Sequence, residues 1–346
     1  MGTPEFAVES LKKLVENKYN VVAVVTMPDK AVGRHHDTLQ ASPVKQYAVG
    51  QGIPVLQPER LKDEAFLEEL RLYKADLQIV VAFRMLPEVV WAMPPMGTFN
   101  LHAALLPQYR GAAPINWAVI NGETETGVTT FFLDHDIDTG RIIHRVPSPI
   151  ADTDTVGDVY DRLMYIGADL VLKTVDDIAS GRVETVSQEE LMHSDFYAQS
   201  KSSLLINQPS SVLKPAPKLS RENTQIRWSE HTVKSAYDFI RGLSPYPGAW
   251  TTLRTADGKE TQLKVFFAEK GYENEDLKVN KEQLYTQSQN HFPLFVNHFS
   301  LVVALRDGYL RLTDIQLAGK RRMPASDFLR GAHLEGAELI EMNNEQ

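Results

Sequence analysis

The sequence predicts an α/β protein: a doubly wound, mostly parallel sheet followed by a smaller β-barrel domain. Two observations support this prediction. Over the first 190 residues, short apolar strands alternate with amphipathic helices, a pattern typical of βαβ units. After a segment rich in Ser, Pro, Gln and Lys, short alternating strands are separated by turn signals, which favours a small closed sheet. We therefore expect a first domain over residues 1–190, a linker over 191–220 and a barrel over 221–335.

The elements of the first domain can be predicted in order from their start signals and apolar runs. Thr3, Pro4 and Glu5 indicate a helix start, with Thr as N-cap and Pro at the first helical position. Ser42 and Pro43 give the same signal again. The apolar runs and helical periodicity predict strands at 21–26, 77–83, 98–102 and 128–133, and helices at 61–73, 156–178 and, in the second domain, 232–241.

The strand expected before the first helix has no counterpart in this sequence. In a doubly wound sheet, a central strand comes before the first helix, yet Met1 leads directly into the helix start. We therefore expect that a strand preceding Met1 belongs to the fold and is absent from this sequence.

The composition of the 346 residues excludes several classes of protein. The sequence has no cysteine, which excludes disulfides, thiolate nucleophiles and Cys-ligated zinc. It also has no apolar run near the ~20 residues that span a bilayer and no signal-peptide core, so we expect a cytoplasmic protein. Residues 1–206 hold 18 basic and 28 acidic residues, whereas residues 207–346 hold 18 and 17. A basic surface on the second domain is therefore compatible with the net charge of −9.

Asn100 and His102 are the first candidates for a functional site. Two apart on a predicted strand, they point to the same face. The strand then runs into Pro107, at the carboxyl end where doubly wound sheets bind ligands. A neutral histidine can accept a proton near neutral pH, and an asparagine amide can donate to an oxygen that gains negative charge. A hydrogen-bonded pair without a chemical role remains the alternative.

The loop 133–140, LDHDIDTG, is the second candidate. Its three alternating aspartates suggest a calcium loop, but an EF-hand needs Gly at position six and Glu at position twelve. This chain has Thr139 and Arg145 there, so no metal is expected. Asp138 can instead direct a carboxylate into the crevice at the strand ends, or simply cap the local turn.

Residues 99–140 carry a resemblance to a known family. The stretch FNLHAALLPQYRGAAPINWAVINGETETGVTTFFLDHDIDTG resembles the core of the folate-dependent formyltransferases, and its RGAAP form is similar to members that act on methionyl-tRNA. MGTPEFAVESL, PDKAVGR and SPVKQYAVGQGIPVLQP resemble other parts of the same domain, and RGLSPYPGAW and LAGKRRMPASDFLRG resemble the family's C-terminal domain. This resemblance covers nearly the whole chain. It implies a Rossmann-like formyltransferase domain followed by an OB-like barrel that binds tRNA.

The resemblance also implies the reaction and its residues. The reaction is direct formyl transfer from 10-formyltetrahydrofolate to the α-amine of methionine on initiator tRNA, with no metal and by a monomer. The family's catalytic trio corresponds to Asn100, His102 and Asp138. In that mechanism Asn100 and protonated His102 stabilise an oxyanion, His102 relays the proton, and Asp138 orients its ring.

The folate contacts are implied in the same way. They are the loop and turn residues Phe83, Arg84, Met85, Leu86, Ala104, Leu105, Leu106 and Pro107, together with Asp134. The sequence departs from the family at two of them. Ala104 stands where Ser is more usual, which removes a possible hydroxyl contact to the folate, and Arg84 stands where Gly is common.

Two basic sites are implied to bind tRNA. Arg34, in the polar loop DKAVGRHHDTLQAS, corresponds to the arginine that engages the acceptor end, although this loop is less basic than in other members. The second site is the basic cluster Lys320, Arg321 and Arg322, which suits contacts to the tRNA backbone. Solvated surface is the alternative for both.

Proteins with other functions would need other features in the sequence. A related formyltransferase acting on an amino sugar or on glycinamide ribonucleotide would share the trio, but the latter would end near residue 190. A nicotinamide dehydrogenase would need a G-x-G-x-x-G turn after a strand, which the sequence lacks. A non-catalytic RNA-binding protein would have no use for the trio.

Overall fold

The computed structural model describes residues 1–32, 38–193, 212–271, 291–297, 300–332, 334 and 336–341. The chain divides into two compact units. The first comprises Met1–Pro114, Glu125–Pro149 and Tyr160–Pro217, and the second comprises Ile115–Thr124, Ile150–Val159 and Lys218–Gln346. The second unit thus includes two short segments that precede residue 190.

Strands and helices alternate along the first unit. Its strands are β1 (Val24–Val25), β2 (Lys30–Val32), β3 (Thr38–Gln40), β4 (Val55–Leu56), β5 (Gln78–Val81), β6 (Thr98–His102), β7 (Glu125–Phe132) and β8 (Ile142–Pro149). Its helices are α1 (Glu5–Glu16), α2 (Pro43–Gly50), α3 (Glu64–Leu72), α4 (Glu88–Trp91) and α7 (Gln188–His193). Two further helices, α5 (Pro114–Ile120) and α6 (Val156–Ala179), contain residues of both units.

The helix starts follow from the local sequence, with one exception. Ser42 caps α2, because its Oγ accepts a hydrogen bond from the Lys45 N–H (3.1 Å) and Pro43 occupies the first turn. The predicted Thr3 cap of α1 is wrong. The residue that flanks α1 is Pro4, which has no capping side chain, so the helix begins one residue later than predicted.

The sheet of the first unit confirms the predicted fold class. β1 pairs with β4 and β5 pairs with β6 in parallel, whereas the β6–β7 and β7–β8 pairs are antiparallel. The four-stranded sheet has the order β5-β6-β7-β8. The antiparallel edge arises because β7 and β8 are joined directly by the loop 133–141, without a crossover helix.

Met1 and Gly2 lie between the two parallel pairs. The Gly2 N–H donates to the Val25 carbonyl (3.0 Å), and the Val81 N–H donates to the Met1 carbonyl (2.9 Å). The Met1 amine donates to the carbonyl of Ile79 (2.6 Å). These two residues thus occupy one end of the position at which the sequence predicts a central strand.

A cavity of about 810 Å³ continues from this point. Residues 19–25, which end in β1, and residues 73–79, which lead into β5, line its two sides. Helices α1, α3 and α6 contribute further apolar side chains. The cavity therefore runs along the strand edges with which one more parallel strand would pair.

The second unit is a nearly closed antiparallel barrel, as predicted. Its strands pair in the order β10-β9-β15-β11-β12-β13-β14, and β10 also pairs with β13. The described strands are β9 (Ala249–Arg254), β10 (Glu260–Gly271), β11 (His291–Asn297), β12 (Ser300–Leu305), β13 (Gly308–Leu317), β14 (Met323–Pro324) and β15 (Glu338–Ile340), and the helices are α8 (Val233–Gly242) and α9 (Ala325–Leu329). Trp228, Leu263 and Leu310 are among the fully buried side chains of its core.

The described helices were also compared with the requirements of a membrane span. The long helix α6 has 24 residues and an amphipathic rather than uniformly apolar sequence. Within the described ranges, no helix is both long enough and apolar enough to cross a bilayer.

Candidate active site

Asn100 and His102 lie on the central strand β6, which ends at His102. Asn100 is in register with Val80 of β5 and Phe131 of β7, and His102 is opposite Thr129. His102 is buried (5% exposed), and Asn100 is half-buried. Among the described residues, the Asn100 side chain has no hydrogen-bond partner. Its amide can therefore donate to a ligand at this end of the sheet.

The two ring nitrogens of His102 face different partners. Nε2 lies 2.8 Å from the carbonyl oxygen of Tyr109, which can only accept a hydrogen bond. Nε2 therefore carries the proton of the neutral ring, and Nδ1 is the basic nitrogen. Nδ1 lies 3.8 Å from Oδ2 of Asp138. A proton on Nδ1 would therefore face this carboxylate.

Asp138 reaches the site from the loop 133–141. Its φ of +55° is left-handed, a conformation that Asp adopts more readily than most residues. Its Oδ2 accepts a hydrogen bond from the Gly111 N–H (2.9 Å). The carboxylate is thus held by the segment that follows β6, so that the two loops carrying His102's partners meet at one point.

Gln188, at the start of α7, connects the same two loops and was not predicted from the sequence. Its Nε2 donates to the carbonyl oxygens of Asp138 (2.8 Å) and Gly140 (3.0 Å). Its Oε1 accepts from Arg110 Nε (3.0 Å) and Nη2 (2.6 Å). The S-x-x-E pattern at 187–190 indicates a helix start, and the Ser187–Glu190 capping bonds are present. No local pattern indicates the distant partners of Gln188.

Arg110 places a positive charge beside these groups. Burial lowers the pKa of its guanidinium, and the nearby Asp138 carboxylate opposes this effect. An arginine stays protonated throughout the physiological range. Asp138 therefore lies near a permanent positive charge, that of the Arg110 guanidinium.

The turn after β6 is fixed by Thr129 of β7. Its Oγ1 donates to the Ala104 carbonyl (2.6 Å) and accepts from the Leu106 N–H (3.1 Å). The peptide bond before Pro107 is cis. Ala104, Leu106 and Pro107 are buried and Leu105 is half-buried, so this turn presents mainly backbone to the crevice.

The loop after β5 holds four further residues implied to bind folate, and Asp134 lies in the loop 133–141. Arg84 donates to the carbonyls of Glu59 (Nη1, 2.8 Å) and Pro58, which ties this loop to the segment after β4. Its Nε is buried without a partner among the described residues. The remaining members differ in burial: Phe83 is half-buried, Met85 is exposed and Leu86 is buried. Asp134 accepts a hydrogen bond from the His135 N–H (2.7 Å).

Comparison with known proteins identifies the family. The formyl transferase family model matches residues 1–175, and the formyl transferase C-terminal domain model matches residues 218–333. The chain belongs to the formyl transferase family. It is 57% identical to the methionyl-tRNA formyltransferase of Parabacteroides distasonis, over 96% of this chain and 94% of that one. It is also 57% identical to the methionyl-tRNA formyltransferase of Phocaeicola vulgatus, over 99% and 97% of the two chains.

A solved formyl transferase shows the same fold. It is the N-formyltransferase from Helicobacter canadensis in complex with folinic acid and dTDP-3-aminofucose. The TM-score is 0.56 at 20% sequence identity, covering 93% of this chain and 97% of that chain. At this level of identity the comparison establishes the architecture of this formyl transferase.

The basic residues predicted to bind tRNA differ in their surroundings. Arg34 lies outside the described residues. Arg322 is ion-paired with Asp314 (2.7 Å), and its guanidinium lies 4.2 Å from the ring centre of Phe266. Lys320 and Arg321 are exposed, and no ion pair within the described ranges involves either of them. All three clustered cations of this formyl transferase are therefore exposed, and two of them have no ion pair within the described ranges.

In the described part of this formyl transferase, no group of three or more His, Asp or Glu side chains is close enough to hold a metal ion.

Proposed function

We propose that this chain transfers the formyl group of 10-formyltetrahydrofolate to the α-amino group of methionine on initiator methionyl-tRNA. The observation that carries the proposal is the arrangement of Asn100, His102 and Asp138: an unpartnered amide beside an imidazole that faces a carboxylate 3.8 Å away. The relatives at 57% identity that are named methionyl-tRNA formyltransferase support the choice of acceptor. We assign catalysis to residues 1–190, a connecting role to 191–220 and tRNA binding to 221–335.

In this proposal His102 moves the proton. An α-amino group titrates near ~8, and it must lose a proton as it attacks. Nδ1 of His102 is the nitrogen that can take up this proton, since Nε2 is committed to the Tyr109 carbonyl. Asp138 stabilises the imidazolium that forms, and the same proton then passes to the departing folate nitrogen.

Asn100 has a different task. The bound formyl donor supplies an electrophilic carbon whose oxygen gains negative charge during the transfer. Asn100 Nδ2 donates a hydrogen bond to that oxygen, and protonated His102 adds a positive charge nearby. The amide is suited to this role because no protein group among the described residues competes for it.

The polar groups at the crevice fit a formyl-folate. Two of these groups are donors that lack an acceptor within the described ranges: the Asn100 amide and the buried Nε of Arg84. We place the pterin and its attached formyl group between the loop after β5, the cis-proline turn and the start of the loop 133–141. Phe83, Arg84, Met85, Leu86, Ala104, Leu105, Leu106, Pro107 and Asp134 would form this wall, with the buried members acting through their backbone.

The tRNA contacts are proposed on chemical grounds. Lys320 and Arg321 are exposed cations that suit phosphate oxygens. Arg322 is held by Asp314, so it would contribute less net charge. Arg34 is assigned to the acceptor end of the tRNA from its motif alone.

A direct formyl-transfer assay tests the proposal. The protein is mixed with 10-formyltetrahydrofolate and Met-charged initiator tRNA, and formyl-methionyl-tRNA is measured. We expect product from the unmodified protein and a loss of about 10²–10⁴-fold for His102→Ala, the range of general acid–base catalysis.

The matched control is His144→Ala. His144 lies on β8 and, like His102, is paired with a carboxylate, that of Asp177 (2.9 Å). The variant should retain activity. Product formed with an amino sugar or with glycinamide ribonucleotide, and not with methionyl-tRNA, would overturn the assignment of the acceptor. Equal losses in the two variants would contradict the role of His102.

A further inference from the structure

We propose that Gln188 is a positioning residue that holds the Asp138 carboxylate against His102, an inference that rests on the proposed function. Gln188 is far from the motif residues in sequence, at a separation of 50 residues from Asp138. Among the described residues, its side chain forms no hydrogen bond with His102 or with the Asp138 carboxylate. It instead acts on the backbone that carries Asp138 and on the neighbouring Arg110.

The orientation of the Gln188 amide is fixed by its partners. The carbonyl oxygens of Asp138 and Gly140 can only accept, and the Arg110 guanidinium can only donate. Nε2 must therefore face the loop 133–141, and Oε1 must face Arg110. The two N–H groups and the two lone pairs of the amide are all used, at distances of 2.6–3.0 Å.

Gln188 is buried, so few other groups could replace its hydrogen bonds. The residue is 3% exposed, and a buried amide without partners is costly, because it has lost its water. No other residue type offers two donors and two acceptors on a planar group of this length. An apolar substitution would leave two backbone carbonyls and the guanidinium of Arg110 without this partner.

The link reaches the chemistry through two loops. On one side, Gln188 fixes the backbone on both sides of Thr139, within the left-handed turn that directs Asp138 towards His102. On the other, it fixes Arg110, whose neighbour Gly111 donates its N–H to Asp138 Oδ2 (2.9 Å). Without Gln188, the carboxylate would keep its chemistry but lose its fixed position.

The expected signature is a loss of turnover with little loss of binding. A misplacement of about 1 Å can cost on the order of 10²-fold in rate. For Gln188→Leu we expect kcat to fall by at least about tenfold, while KM for the folate and for the tRNA changes by less than about threefold. The side chain in Gln188→Glu can still accept from Arg110 but cannot donate to both carbonyls. The kcat of this variant should therefore fall in the same way.

The control variant is Glu190→Ala. Glu190 closes the capping box of the same helix through Ser187 (2.9 Å). It reaches the loop 133–141 through a long, exposed ion pair with Arg141 (3.9 Å), at the end of that loop, whereas Gln188 bonds directly to the backbone of Asp138 and Gly140. The variant should loosen α7 and leave kcat within about twofold. If Glu190→Ala lowers kcat as much as Gln188→Leu does, or if Gln188→Leu leaves kcat unchanged, the positioning role is wrong.

A second measurement does not depend on the reaction. Hydrogen exchange of the Gly111 amide, read by NMR in the full chain, reports the bond to Asp138 directly. It should accelerate by at least about tenfold in Gln188→Leu and stay unchanged in Glu190→Ala. Unchanged exchange in both variants would overturn the positioning role even if turnover falls. Absence of formyl transfer by the unmodified protein would instead overturn the proposed function, and the exchange comparison would still decide the role of Gln188.

Discussion

At the residue scale, the candidate site depends on which atoms face each other. The sequence placed Asn100 and His102 on one face of a strand, because side chains alternate along a strand. It could not indicate that the carbonyl of Tyr109 faces Nε2 of His102, because this contact depends on the turn after β6, in which Tyr109 has a left-handed conformation (φ +60°). This contact selects Nδ1, the nitrogen nearest to Asp138, as the basic one.

Asp138→Asn tests the carboxylate at this scale. The amide has nearly the same shape and can still accept from the Gly111 N–H, but it removes the charge that faces His102. We expect kcat to fall by about 10²–10⁴-fold with a small change in KM. Asp136→Asn, an exposed neighbour in the same loop, serves as the control and should be near the unmodified rate. Similar losses in both would mean that the loop, and not the carboxylate, is responsible.

At the element scale, the strand that carries the candidate site was predicted with its observed bounds, Thr98–His102. The loop that carries Asp138 was predicted less well. The sequence predicts the run at 128–133 as one more strand of a mostly parallel sheet, and the structure places it in β7, which forms an antiparallel hairpin with β8. An apolar run does not reveal strand direction, which depends on how the connecting loop turns.

Gly140 is the residue that allows this hairpin to close. A Cβ at this position would collide with the carbonyl group of Phe132 and crowd the ring of Phe131. We expect Gly140→Ala to lower the free energy of unfolding by about 2–4 kcal/mol, as overpacking of a closed turn does, and to reduce activity by displacing Asp138. Denaturant unfolding measures the change.

The matched substitution is Gly50→Ala in α2, where nothing lies within 4 Å of an added Cβ. It should be neutral or should stabilise by about 0.5–1 kcal/mol, because alanine favours the helix. Equal effects of the two substitutions on the free energy of unfolding would show that the close contact at Gly140 does not control stability.

At the scale of the whole molecule, we expect the position between β1 and β5 to limit stability. Of the described residues, Met1 and Gly2 alone occupy it, beside the cavity of about 810 Å³. Burial lowers the pKa of the Met1 amine from 8.0 to about 5. Between these values the unfolded chain binds a proton that the folded chain does not, so stability is lost as pH falls from 8 to 5. The loss amounts to about 4 kcal/mol, at 1.36 kcal/mol per pKa unit.

Two altered N-termini separate charge from packing. N-acetylation of Met1 removes the titrating amine and adds no strand. The acetylated chain should therefore have a higher Tm than the unmodified chain, and this difference should grow as pH falls from 8 to 5. A chain extended before Met1 by about five β-branched residues should also gain strand pairing and apolar burial, and its Tm should exceed that of the acetylated chain at pH 8 as well. Equal Tm values for the extended and acetylated chains would contradict the idea that a strand belongs in this position.

The fold class, the division into a doubly wound part and a barrel, the strand Thr98–His102 and the family resemblance could all be predicted from the sequence alone. These features depend on periodicity, turn residues and motifs, which are local properties of the chain. The folded structure was needed to show that Asp138 faces Nδ1 of His102 and that Gln188 joins the two loops around it. Such contacts join residues that are tens of positions apart, and a buried amide satisfied by distant backbone groups leaves no pattern in the sequence around it.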